Sequence, residues 1–189
     1  MAQEAARIVR VAGSAIAPAQ LRQVEAIFFE ASGRAFAPGP ERDAFRERWL
    51  GRYLTGGTDA VLLALDGGTV AGYLVGAVDD PAEQERFADI GYFRAEFRTL
   101  CRAFPAHLHI NLAPAFRSKG LGARLIEAFA AYAAAAGAPG MHVVTAEGAR
   151  NVRFYARCGL TERGATLWNG RRVVFLGRLL TAPAGRGKP

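Results

Sequence analysis

The stretch Arg117-Ser118-Lys119-Gly120-Leu121-Gly122 has the residue types and spacing to hold a pyrophosphate. Two glycines separated by one residue let backbone N–H groups approach an anion with no Cβ in the way. The strand-like run His107-Leu108-His109-Ile110-Asn111-Leu112 precedes this loop, and a strongly helical run follows from near Leu121. A helix that begins there turns its unpaired N–H groups and the positive end of its dipole toward the loop. Arg117 and Lys119 bring mobile positive charge to the same place. The implied ligand is a phosphate.

Spacing separates this loop from other phosphate cradles. A triphosphate loop needs Lys-Ser or Lys-Thr straight after its last glycine, and Ala123-Arg124 stands there. A dinucleotide fingerprint needs a third glycine where the chain has Leu125. Its strand should also run directly into the first glycine, whereas Ala113-Pro114-Ala115-Phe116 and the basic residues intervene. Glu147, closing the next strand, imitates a ribose-binding acid, so a nucleotide-dependent oxidoreductase stays as an alternative. A helix start whose glycines serve packing alone is the structural alternative.

What remains is Arg-x-x-Gly-x-Gly several residues after a strand. This resembles the acyl-CoA loop of the GNAT superfamily of N-acetyltransferases, whose signature is Gln/Arg-x-x-Gly-x-Gly/Ala. The segment Arg153-Phe154-Tyr155-Ala156-Arg157-Cys158-Gly159-Leu160 is similar to the family's later helix, which reads Phe-Tyr-x-x-x-Gly-Phe. Residues 106–112 also resemble the acetyltransferase-like domain attached to O-GlcNAcase and its bacterial single-domain relatives. The resemblance covers residues 59–178 and is strongest over 105–160.

The resemblance implies an α/β (α+β) fold, the GNAT acyl-CoA N-acyltransferase fold. Its mixed, mostly antiparallel sheet has about six to seven strands flanked by helices. It also implies acetyl-CoA as cosubstrate without a metal, and acetyl transfer to a primary amine of a small molecule or peptide by direct attack on the thioester. Arg117, Ser118, Lys119, Gly120, Leu121 and Gly122 would hold the cofactor phosphates. Backbone groups of Asn111 and Leu112 would pair with the pantetheine arm and place an N–H near the thioester oxygen. Tyr155 matches the tyrosine beside the cofactor sulfur, and a phenol can hydrogen-bond or protonate a departing thiolate.

Two departures from the family pattern follow. The family's asparagine seven residues before the tyrosine is replaced by Gly148, and Asn151, one helical turn before Tyr155, is the substitute contact for the cofactor. An aspartate common in the O-GlcNAcase-like relatives is replaced by Asn111. The resemblance to that group also opens a second reading, a pseudo-acetyltransferase binding module without catalysis.

The base is sought on the strand. Alternation puts His107, His109 and Asn111 on one side and Leu108, Ile110 and Leu112 on the other. An imidazole facing the acetyl group can accept the amine's proton directly or through water. His109 lies nearer the cofactor end and is the first choice, His107 the second, and Glu147 the competitor.

The remaining elements must position these groups. Arg7 to Val11 reads as a strand, and Ala19 to Ala31 as a helix with Val24, Ile27 and Phe28 inward. Glu41 to Leu54 reads as a second helix. Val61 to Leu65 and Val70 to Val78 form a hairpin around Asp66-Gly67-Gly68. Residues 80–103 form an insertion on the substrate side, one or two helices interrupted near Gly91. The cofactor helix runs from Gly120 to Ala136 and a strand from Met141 to Ala146. Arg150 to Cys158 is helical, and strands Thr161–Ala165 and Arg172–Leu179 close the fold around Asn169-Gly170. One domain over residues 1–180 is expected, with a flexible tail at 181–189.

Composition adds limits. A chain of 189 residues, 51% hydrophobic, has enough apolar mass for one core. No apolar run reaches the roughly 18 residues of a membrane span, and no secretory signal pattern opens the chain. Cys101 and Cys158 are the only cysteines and are not spaced for metal, which fits thiols in a reducing cytoplasm. The net charge of +7 comes from scattered arginines, which suits an anionic cofactor better than nucleic acid. The acidic stretch Asp79, Asp80, Glu83, Glu85 and Asp89 reads equally as an attractor of cationic amines and as a solvated face. A homodimer is left open.

Overall fold

The structure, a computed structural model, describes residues 6–55 and 59–181. Apart from Thr181, the expected tail lies outside the described residues. Seven strands are hydrogen-bonded in the order β1-β2-β3-β4-β5-β7-β6. They are β1 Arg7–Val11, β2 Asp59–Asp66, β3 Thr69–Ala77, β4 Ala106–Leu112, β5 Gly140–Ala146, β6 Thr161–Trp168 and β7 Arg171–Leu179. Pairings β1–β2, β2–β3, β5–β7 and β6–β7 are antiparallel, while β4–β5 is parallel through Ala106↔Met141 and His107↔His142. This is the mixed, mostly antiparallel sheet expected from the sequence.

The chain folds as two compact units, neither of them contiguous in sequence. Of the described residues, one comprises 6–55, 59–77 and 109–129, the other 78–108 and 130–181.

In the first unit, α1 (Pro18–Ser32) lies against β3. Val24, Ile27 and Phe28, spaced i, i+3, i+4, are its buried face. Pro18 opens the helix and Gly33, with φ of 64°, ends it in a left-handed cap. The Gln23 side chain accepts the Val70 N–H at 2.8 Å, which fixes α1 against the start of β3. Glu25 takes two N–H groups of Arg46 at 2.6 Å, joining α1 to α2 (Pro40–Trp49).

The second helix is shorter than the expected 41–54. Leu50 leaves helical geometry at φ −137°, and Gly51–Tyr53 continues as a 3-10 turn. A Cβ on Gly51 would meet only the ends of the Glu47 and Arg46 side chains, which can move aside. The β2–β3 hairpin turns at Gly67 and Gly68, as the Asp-Gly-Gly signal requires.

In the second unit, β5, β7 and β6 surround an aromatic core. His142 stacks on Phe175 with ring centroids 4.3 Å apart, and Phe97 meets Phe175 at 5.3 Å. Asn169 and Gly170 turn the β6–β7 hairpin with φ of 49° and 73°, the mirror-image turn that Asn-Gly supplies.

The insertion departs from the helical expectation. It makes two 3-10 turns, Glu85–Phe87 and Gly91–Phe93, followed by the six-residue α3 (Arg98–Ala103). Phe87, Tyr92, Phe93 and Phe97 are buried, so tertiary packing of aromatics sets this path rather than helix propensity. On its outer side, Glu83 pairs with Arg98 at 3.0 Å and Glu85 with Arg94 at 2.9 Å. Asp80 caps the Ala82 N–H at 2.9 Å. Two of the acidic groups are thus answered by the segment's own arginines, which favours the solvated-face reading.

Candidate functional site

In the first unit, β4 delivers the chain into a 3-10 turn, Pro114–Phe116, and then into the loop. Ser118 and Gly120 both have positive φ, 62° and 77°. A non-glycine residue held there is uncommon and marks a loop shaped by more than local preference. The α4 helix, Leu121–Ala135, begins one residue later than expected, with Gly120 O accepting the Arg124 N–H at 3.2 Å. The N–H groups of Leu121, Gly122 and Ala123 are therefore in the first turn, without intrahelical partners. Leu121 and Gly122 are buried, whereas Arg117, Ser118, Lys119 and Gly120 are exposed.

The two loop cations are held differently. Arg117 folds back and donates Nε–H to Leu112 O at 3.0 Å, tying the loop to the end of β4. Lys119 places its ammonium 5.8 Å from the centre of the Phe116 ring. The loop thus combines left-handed backbone, a helix N-terminus and positive charge, and its residues fit a diphosphate group.

His109 and Asn111 belong to the same unit. The His109 ring is edge-on to Trp49 and Tyr53, with centroids 5.4 Å away in each case. Among the described residues, no hydrogen bond engages its nitrogens. Burial, and secondarily the Arg52 charge, push the His109 pKa down to about 4. The residue as a whole is only half-buried, so a proton acceptor that is neutral at physiological pH retains some access.

This shift carries a stability consequence. The folded pKa lies below the unfolded value near 6.5, so the unfolded chain binds the extra proton first. The contribution is whole above pH 6.5 and is lost as pH falls through about 4. Unfolding free energies from urea titrations between pH 7 and 4 should fall less steeply in His109→Gln than in the native chain, by roughly 1–3 kcal/mol across the window. Parallel curves would show that His109 is not held neutral by the fold.

Asn111 donates its side-chain N–H to the Tyr73 hydroxyl at 2.8 Å. Its side chain is therefore committed to β3, and only its backbone is left for the pantetheine role implied by the resemblance. Leu112 gives its carbonyl to Arg117.

The second unit holds the other candidates. Tyr155, on α5 (Val152–Arg157), is 6% exposed, and Phe154 beside it is half-buried; the tyrosine is the inward member of the pair. Among the described residues, its hydroxyl has no hydrogen-bond partner. Burial, with a smaller effect of Cys158, raises its pKa well above the ordinary phenol value, so it keeps its proton. Asn151 accepts a bond from the Thr145 hydroxyl at 3.1 Å, and its carbonyl takes the Tyr155 N–H. Gly148 has φ of 71°, a region that glycine and asparagine tolerate best, which explains how one can replace the other at that turn.

His107 is 3% exposed. It stacks on His142 at 5.6 Å and meets Phe87 at 4.7 Å, and its Nδ1 lies 3.2 Å from Pro105 O. That is the setting of a core residue. Glu147, the competing base, pairs with Arg172 at 2.7 Å.

Three features escaped the sequence reading. The first is the pair Trp49 and Tyr53 against His109, signalled only by two aromatics four residues apart near a helix end. The second is Tyr73, whose neighbour Gly72 is a mid-strand glycine of the kind that marks close backbone approach. The third is the left-handed Ser118, for which the sequence carries no evident signal.

A model of the Acetyltransferase (GNAT) family matches residues 21–160. The fold is similar to that of a GCN5-related N-acetyltransferase from Kribbella flavida. The two share 16% identity, with a TM-score of 0.65 and coverage of 94% of this chain and 99% of that one. It is also similar to ribosomal-protein-alanine N-acetyltransferase from Brucella melitensis, at 19% identity, TM-score 0.62 and coverage of 92% and 99%. The Salmonella typhimurium protein yncA, solved with its cofactor acetyl-CoA, is 19% identical with a TM-score of 0.58 over 96% and 98%. The chain belongs to the GNAT acetyltransferase family, and its enzyme class is acyltransferase.

Proposed function

We propose that this protein transfers the acetyl group of acetyl-CoA to a primary amine of a small molecule or peptide. The observation that carries the reading is the loop from Arg117 to Gly120, left-handed at Ser118 and Gly120 and placed directly before the α4 N-terminus. Relatives of the same fold solved with acetyl-CoA support it. The likeness to O-GlcNAcase-attached domains rests on residues 106–112 alone.

Each residue has one task in this reading. Backbone N–H groups at 118–122 hold the diphosphate, with Lys119 as a mobile counter-charge. Asn111 and Leu112 present backbone groups to the acyl arm. As the amine nitrogen bonds to the thioester carbon it becomes more acidic, and His109 takes its proton. A weak base suffices at that stage, because the nitrogen has already begun to lose its lone pair. As the carbon–sulfur bond breaks, Tyr155 donates a hydrogen bond to the departing thiolate. Its raised pKa makes it a hydrogen-bond donor first, since full transfer to a thiolate of ordinary basicity is uphill. His107 is left a packing role, Asn151 supports the Tyr155 helix, and Leu121 and Gly122 start the cofactor helix.

Calorimetric titration with acetyl-CoA, followed by thiol release over a panel of primary amines, tests the reading. Micromolar to sub-millimolar binding and amine-dependent release are expected. No binding at millimolar acetyl-CoA sinks it, and binding without release from any amine supports the binding-module alternative.

A further inference from the structure

We infer that Tyr73 is a positioning residue for acetyl transfer, its buried hydroxyl holding Asn111 and thereby the end of β4 in the register that presents backbone groups to the acyl arm. This rests on the function proposed above.

Three neighbouring residues of β3 hold three of the chain leaving β4. Tyr73 is fully buried and takes the Asn111 side-chain N–H at 2.8 Å. Gly72 leaves room for the facing strand: a Cβ there would overlap the Leu112 side chain and come within 2.9 Å of Asn111 O. Ala71 O accepts the Ala113 N–H at 3.0 Å. Leu112, between these anchors, takes the Arg117 guanidinium at 3.0 Å. The loop is thereby tied, through Leu112, to the strand end that these three residues of β3 hold.

A phenylalanine would fill the same space as Tyr73 without a hydroxyl that must be satisfied when buried. Among the described residues, the hydroxyl's hydrogen-bond partner is Asn111, at the strand end. Burial keeps the phenol un-ionised, so it stays a neutral acceptor for the amide. Misplacement of a reacting group by about 1 Å can lower a rate by about 100-fold, while a diphosphate bound at a helix N-terminus is little affected. Loss of this anchor should therefore appear in kcat and not in cofactor affinity.

The test compares Tyr73→Phe, Asn111→Leu and the double variant with the native enzyme. It reads acetyl-CoA Kd by calorimetry, kcat by thiol release and melting temperature. Tyr73→Phe is expected to lower kcat about 10-fold with Kd within about two-fold. The double variant leaves neither polar partner stranded and should recover much of the melting temperature lost in the singles. Its kcat should stay low. Recovery of kcat together with melting temperature in the double variant overturns the inference, because the pair would then be merely structural. Native kcat in Tyr73→Phe also overturns it, and leaves the acetyltransferase reading intact. A native chain that binds no acetyl-CoA overturns both.

Discussion

Gly120→Glu is expected to weaken acetyl-CoA binding by about 100-fold or more while leaving the protein folded. Two effects add. Gly120 sits at φ of 77°, where a side-chain-bearing residue costs about 1–2 kcal/mol. The new carboxylate would also stand at the entrance to the α4 N-terminus, where the diphosphate charge should lie. Nothing lies within 4 Å of a Cβ built on Gly120, so the side chain itself meets no steric obstacle. The melting temperature should consequently drop by only about 2–8 °C. Gly120→Ala separates the two contributions, since it carries the strain without the charge, and should weaken binding by about tenfold. An unchanged Kd in Gly120→Glu, measured by calorimetry, would remove the loop from the cofactor site.

The second large effect belongs to Tyr155. Tyr155→Phe is expected to lower kcat about 100-fold, the lower end of what one hydrogen-bond donor to a developing anion contributes. Cofactor affinity should change little, since the interaction is made to sulfur as it becomes a thiolate. The melting temperature should also hold. The ring is buried and would remain, and among the described residues no protein group depends on the hydroxyl. A full kcat in Tyr155→Phe would assign Tyr155 to the core, the other role open to the inward member of an adjacent aromatic pair. A matching loss of kcat and stability would point the same way.

The local architecture was largely legible because local rules govern it. The 3.6-residue spacing of Val24, Ile27 and Phe28 announced α1, and those are its buried residues. Asp66-Gly67-Gly68 and Asn169-Gly170 announced two hairpins because few residue types accept the required positive φ. Long-range packing overruled local propensity elsewhere. The insertion turns in short 3-10 pieces because Phe87, Tyr92, Phe93 and Phe97 all need burial, which one regular helix does not deliver. The second helix stops at Trp49, and the next turn brings Tyr53 against His109.

The candidate site shows the same division. Alternation along β4 puts His107 and His109 on one side and gives no means to tell them apart. Their neighbours do so: His107 is enclosed by Phe87 and His142, while His109 keeps partial access between Trp49 and Tyr53. Glu147 reads as a free carboxylate until Arg172 is found 2.7 Å away. Arg117 reads as a phosphate ligand, yet its Nε is committed to the carbonyl of Leu112.

The sequence by itself determined the glycine spacing of the 117–122 loop and the helix behind it, because a turn and a helix start are properties of a short contiguous stretch. It also determined the family, through two motifs in order. The tertiary structure alone decided which histidine keeps partial access, what Asn111 binds and where the Tyr73 hydroxyl is held. Those roles depend on burial and on partners dozens of residues away, and no local spacing encodes them.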